Sequence, residues 1–188
     1  MGEFSAFARL PRARLEAADL RGLLEELPRA ASAAAHEAGL PAEALRVELR
    51  LGGAPLVARF DAVMLRRALA NLVRNAVEAV AERGGGTVRI AAREQGECIL
   101  VEVADDGPGI PPEERERVFE PYFTRKDHRG GTGLGLAIVK KVVLEHGGEV
   151  DVGEAPEGGA LFRVRLPALG RAAGPPDEER SEEEDHGR

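Results

Sequence analysis

From Asp61 to the run Gly84-Gly85-Gly86, the chain carries an apolar stripe of Leu65, Leu69, Leu72, Ala76 and Val80 at spacings of four, three, four and four. That period is helical, and Asp61 is a good residue to cap such a helix. Arg67, Asn71, Asn75, Glu78 and Glu82 form a polar row along one edge, so both asparagines point the same way. A helix with one apolar face must bury it against a second layer. The neighbouring segments supply one: Arg46–Leu51 alternates like a strand, Leu56–Phe60 reads as another, and Thr87–Ala92 and Cys98–Ala104 read as a hairpin. Six Phe, one Tyr and no Trp leave the core to aliphatic residues, which suits a layered α/β domain better than an aromatic-rich sandwich.

The rest of the chain divides as clearly. Leu15 to about Gly39 has helical composition, broken or restarted near Pro28, and Gly39-Leu40-Pro41 stops it. Pro111-Pro112-Glu113-Glu114 reads as a helix start, and a later helix ends at Gly147-Gly148. Strands near Glu149–Val152 and Ala160–Leu166 close the domain. The length of 188 residues suits one domain with ragged ends. The net charge of −7 misleads, because Asp177–Arg188 alone carries −5. That stretch has almost nothing to bury and reads as a disordered acidic tail. The lone Cys98 excludes an internal disulfide and a Cys-based zinc site, and it reads as a core residue of a cytosolic protein. No apolar run approaches the roughly 20 residues of a membrane span.

Four short signals follow one another: NLVRNAVEA (Asn71–Ala79), DDGPGI (Asp105–Ile110), FEPYF (Phe119–Phe123) and GGTGLGL (Gly130–Leu136). Singly, each has a plain reading. Two Asn at i,i+4 form a solvated or packing face, Asp-Gly after a strand is a turn, and a glycine cluster is a loop. The glycine run is no P-loop, since no Gly-Lys-Ser/Thr follows it, and it lacks the spacing and preceding strand of a dinucleotide fingerprint.

Taken together, these signals resemble the N, G1, F and G2 boxes of the ATP-binding catalytic domain of sensor histidine kinases. That superfamily also holds gyrase, MutL and a heat-shock chaperone. The resemblance covers about Asp19–Pro167 and implies the Bergerat fold: an α/β two-layer sandwich in which helices cover one face of a mixed sheet. It also implies ATP and Mg²⁺ as ligands. By resemblance, Asp105 accepts from the amine at the six-position of adenine, where guanine has a carbonyl, while Gly107 and Gly109 turn the backbone beneath the base. Asp106 is expected to face solvent. Asn75 is the implied metal ligand, and Asn71 assists the phosphates or a metal-bound water. Gly131, Thr132, Gly133, Leu134 and Gly135 form the phosphate cradle at a helix start, with Leu136, Val139 and Val143 anchoring that helix. Lys126 and Arg129 are the lid cations expected on the phosphates. Phe119 and Phe123 belong either to the core or to the wall beneath the lid.

ATP-hydrolysing members of the superfamily carry Glu four residues before the metal-binding Asn; here that position is Asn71. An amide cannot take a proton from water at neutral pH, which favours transfer to a supplied nucleophile over hydrolysis. The phosphate-accepting histidine is not found. HEAGLP (His36–Pro41) imitates the expected spacing, but a helix stop and a strand follow at once. GEFSAFARLP resembles the exit of a dimerisation helix in the nitrogen-regulation type of sensor kinase. The expected division is therefore 1–18 linker, 19–167 catalytic domain and 168–188 tail, an excised, monomeric domain. Its implied partners are the histidine-containing dimerisation domain and a response-regulator receiver domain, without nucleic acid or direct membrane contact. The expected location is cytoplasmic, with any membrane anchor in the parent protein. Three other readings stay open: a gyrase- or MutL-type ATPase, a nucleotide-binding regulatory module, and an anti-sigma-type serine kinase.

Overall fold

The computed structural model describes residues 12–124 and 132–169. Its elements run β1 (Glu16–Asp19), α1 (Arg21–Glu25), α2 (Leu27–Glu37), β2 (Leu45–Leu51), β3 (Val57–Phe60), α3 (Ala62–Ala81), β4 (Gly86–Gln95), β5 (Cys98–Asp105), α4 (Gly135–Glu145), β6 (Glu149–Glu154) and β7 (Ala160–Pro167). A five-stranded mixed sheet in the order β2-β4-β5-β7-β6 has one parallel pair, β2 with β4; its other pairs are antiparallel. Strands β1 and β3 form a separate antiparallel ribbon. The expected two-layer sandwich is the fold observed.

Alternation along the strands decides which face is covered. Val88, Ile90 and Ala92 of β4, Ile99, Val101 and Val103 of β5, and Phe162, Val164 and Leu166 of β7 are all buried. Above them lies α3, packed on β4 and β5 and flanked by α2 and α4. The α3 stripe Leu65, Leu69, Leu72, Ala76 and Val80 is wholly buried. The opposite face carries a lattice of charge: Arg89 reaches Glu48 and Glu157, Arg93 reaches Glu102, and Arg163 and Arg165 share Asp151. Among the described residues no helix is long and apolar enough to cross a membrane.

Three sequence expectations need correction. Leu15–Asp19 has helical composition, yet Glu16–Asp19 is a strand, because it can pair with β3 from Glu16↔Phe60 to Asp19↔Val57. The segment after Pro111-Pro112 forms two short 3₁₀ turns, Pro112–Glu114 and Arg117–Phe119, rather than a helix. Cys98 is only half-buried and, by strand alternation, lies on the face away from the helices.

The helix start at Asp61 holds as read. Its Oδ1 accepts from the Val63 and Met64 amides at 3.0 Å each, and its Oδ2 from Arg14 N at 3.0 Å. Those bonds, led by the one from Arg14, hold the carboxyl below the usual carboxylate range. The Asp61 amide in turn donates to Nε2 of the buried His146, whose Nδ1 lies 2.7 Å from Val142 O. One imidazole thus ties the C-terminal end of α4 to the N-terminal end of α3.

Candidate functional site

The polar edge of α3, the C-terminal end of β5 and the start of α4 converge on one region. Since Ile99, Val101, Val103 and Asp105 share a face, the last of them points a carboxylate into the helix-covered layer, where it is 2% exposed. Its Oδ1 accepts from Gly107 N at 2.9 Å and Ala160 N at 3.2 Å. Burial of a carboxylate is tolerable only with such partners. Two backbone donors fix where it points.

The turn after Asp105 is held with little slack. A Cβ on Gly107 would sit 2.8 Å from Ala79 Cβ and 2.9 Å from Asp105 Oδ1, so only glycine lets the turn lie against α3. Gly109 adopts φ +75°, in the left-handed region. Asp106, expected to face solvent, is half-buried: its Oδ1 accepts from Thr87 N at 2.9 Å, and Arg83 Nη1 donates to its carbonyl at 2.8 Å. Of the paired aspartates, one addresses the site and its neighbour fastens the loop to the start of β4.

On α3, Asn71 and Asn75 are half-buried, one turn apart. Asn71 Nδ2 donates to Gly135 O at 3.4 Å, while Arg74 Nη2 donates to Asn71 Oδ1 at 3.2 Å. The Asn75 amide leaves Nδ2 buried without a partner. Its amide is therefore not consumed in holding the fold, an exception that points to a ligand. Among the described residues no group of three or more His, Cys, Asp or Glu could hold a metal. Any divalent ion here would rest on few protein oxygens, the habit of magnesium beside phosphates.

At the start of α4, Thr132 Oγ1 accepts from Leu134 N at 3.4 Å, and Leu134 is buried. Gly133 has φ +65°, and a Cβ there would come within 2.6 Å of Tyr122 backbone. Its carbonyl accepts from Tyr122 N at 2.9 Å, and Tyr122 itself has φ +68°. Val139 and Val143 are fully buried, and Leu136 packs against the same core, as expected of the helix's anchors. Phe119 is buried edge-on against Phe162, with ring centroids 6.2 Å apart. Phe123 is half-buried, 4.9 Å beneath the Arg117 guanidinium. Lys126, Arg129 and Gly131 lie outside the described residues.

Sequence reasoning passed over two residues that the structure draws in. Arg74 bridges Asn71 and, at 3.9 Å, Glu78; only its spacing of three from one and four from the other could have signalled this. Arg83 clasps the turn carbonyls from the end of α3.

A family model described as the histidine kinase-, DNA gyrase B-, and HSP90-like ATPase matches residues 60–170. The chain belongs to this ATPase family. Among curated relatives, nitrogen regulation protein NtrY of Azorhizobium caulinodans is 37% identical over 181 residues, which is 93% of this chain and 22% of NtrY. The chain thus spans about a fifth of that relative's length. Full-length ShkA, solved in complex with AMPPNP, superposes with TM-score 0.72 at 30% identity over 87% of this chain and 33% of ShkA. The catalytic domain of histidine kinase ThkA gives TM-score 0.69 at 28% identity, covering 82% of this chain and 95% of that one. Both superpositions place the mixed sheet and one-sided helical layer described above on a fold shared with these proteins.

Proposed function

We propose that the chain is the ATP-binding catalytic domain of a two-component sensor histidine kinase. It binds ATP with magnesium and passes the γ-phosphoryl group to a histidine on a dimerising helical hairpin, for onward transfer to a receiver-domain aspartate. The observation that carries this is Asn71. It occupies the position from which a hydrolytic relative's carboxylate would activate water, and both ends of its amide are engaged, by Gly135 O and by Arg74. Without a base for water at that position, a nucleophile has to be supplied from elsewhere.

In this reading Asp105 receives the adenine amine, and Gly107 and Gly109 let the base lie close to the backbone. Asn75 holds the magnesium ion. When bound, that ion neutralises charge on the phosphates. Gly133, Leu134 and Gly135 offer backbone N–H groups at the positive end of α4, with Thr132 shaping the approach. Lys126, Arg129 and Gly131 complete the phosphate side, and Phe119 and Phe123 support it from beneath. The catalytic unit, expected over 19–167, takes in all of β1 and runs on to Leu169, since both ends pair with β3; a linker precedes it and an acidic tail follows. Its setting is the cytoplasm, beside its parent's dimerisation domain.

The test mixes this chain with a separately made hairpin domain and ATP labelled at the γ-phosphate. Acid-labile label on the hairpin is the expected result. Acid-stable label would indicate a serine kinase, and no label despite ATP binding a regulatory module. Robust ATP hydrolysis by the chain alone, lost in Asn71→Ala, would overturn the kinase reading in favour of a hydrolytic machine.

A further inference from the structure

Gly135 is a glycine that the fold does not require. Its φ is not in the left-handed region, and a Cβ there would meet nothing closer than Arg74 Nη2 at 3.7 Å and Asn71 Cγ at 4.0 Å. Ordinary contact at those distances would accommodate alanine, a better helix former than glycine. Gly107 and Gly133 differ, since each would clash with protein. Omitting a side chain at Gly135 leaves room beside Arg74.

What borders that room is cationic. The Arg74 guanidinium reaches it from α3, steadied by Asn71 Oδ1 at 3.2 Å and by Glu78 at 3.9 Å. Facing it is the N-terminal end of α4, where Leu134 provides no side-chain cap and the first turn holds no acidic residue. A helix start carries roughly half a positive charge and leaves its first N–H groups without intrahelical partners. Glu78 balances part of the Arg74 charge, and an anion placed between the guanidinium and that pole would be favoured by both. The Asn75 amide, one residue further along α3, also has a buried donor without a partner.

We propose that Arg74 is a fixed phosphate-binding cation of this site, contacting the terminal phosphoryl oxygens of ATP in the space that Gly135 leaves open. This rests on the ATP-binding reading above. Unlike cations carried on a lid, Arg74 stands on a rigid helix and is braced by two neighbours. It can therefore discriminate a triphosphate from a diphosphate at the moment of binding. A planar guanidinium also suits the fork geometry of phosphate oxygens better than an ammonium does.

The experiment measures ATP and ADP affinities by calorimetry for the 188-residue chain and for Arg74→Gln and Arg74→Lys, with melting temperatures alongside. Arg74→Gln should weaken ATP about tenfold or more, the loss of one charge-assisted contact. ADP should weaken by less than about threefold, with melting unchanged. Arg74→Lys, which keeps the charge without the fork, should fall between the two. Equal losses for the two nucleotides, or none, would overturn the assignment, because a residue that merely steadies Asn71 has no reason to sense the third phosphate. A wild-type chain that binds ATP no better than a buffer blank would instead overturn the nucleotide reading on which it rests.

Discussion

At the scale of single residues, Asp105 shows how a strand end can hold a buried carboxylate ready for the adenine contact proposed above. Two backbone donors hold its Oδ1, so the carboxylate is oriented before any base arrives. Asp105→Asn should weaken ATP binding by about 1–3 kcal/mol, the scale of a lost charge-assisted hydrogen bond at a buried site. Unchanged affinity in calorimetry would remove Asp105 from the adenine site. Asn75→Ala should abolish the magnesium-dependent part of ATP affinity, which a titration with and without the ion would detect. Asp105 and Asn75 were legible as candidates because motif spacing alone marks them. Asp106 was not, since a side chain's engagement with an amide nineteen positions earlier has no trace in local sequence. Nor does local sequence mark His146, which is buried between two helices.

Secondary-structure elements follow the same division. The long helix was readable from its apolar period and its capping aspartate, and the β4–β5 hairpin from two alternating runs around a polar turn. Strand β1 was not, because EAAD has helical composition and all four residues are exposed. Pairing with β3 overrides that propensity. The N-cap of α3 has the more testable energetics. Asp61→Ala removes two amide acceptor bonds and the link to Arg14, and should cost about 0.5–2 kcal/mol in urea unfolding. The folded carboxyl titrates below its ordinary value of 3.8, so its contribution is complete above that value. It is lost as pH falls through the depressed folded value. In stability measurements across the acid range, the gap between wild type and Asp61→Ala should therefore narrow as pH drops below about 4.

For the molecule as a whole, the sheet divides two tasks between its faces: apolar residues on one side hold the helices that build the site, and ion pairs on the other keep that side in water. Residues 170–188 carry almost no side chains suited to a core, so truncation after Leu169 should leave melting temperature and ATP affinity unchanged. A drop of several degrees on truncation would give the tail a structural role. Truncating a few residues earlier is a different matter. Ala168 bridges Ala58, and Leu169 N donates to Val57 O at 2.8 Å, so the last described residues complete the ribbon made by β1 and β3. Contacts joining opposite ends of a chain form late, because the whole intervening loop must first be closed. During synthesis, the ribbon of β1 and β3 therefore waits unfinished until Leu169 has left the ribosome.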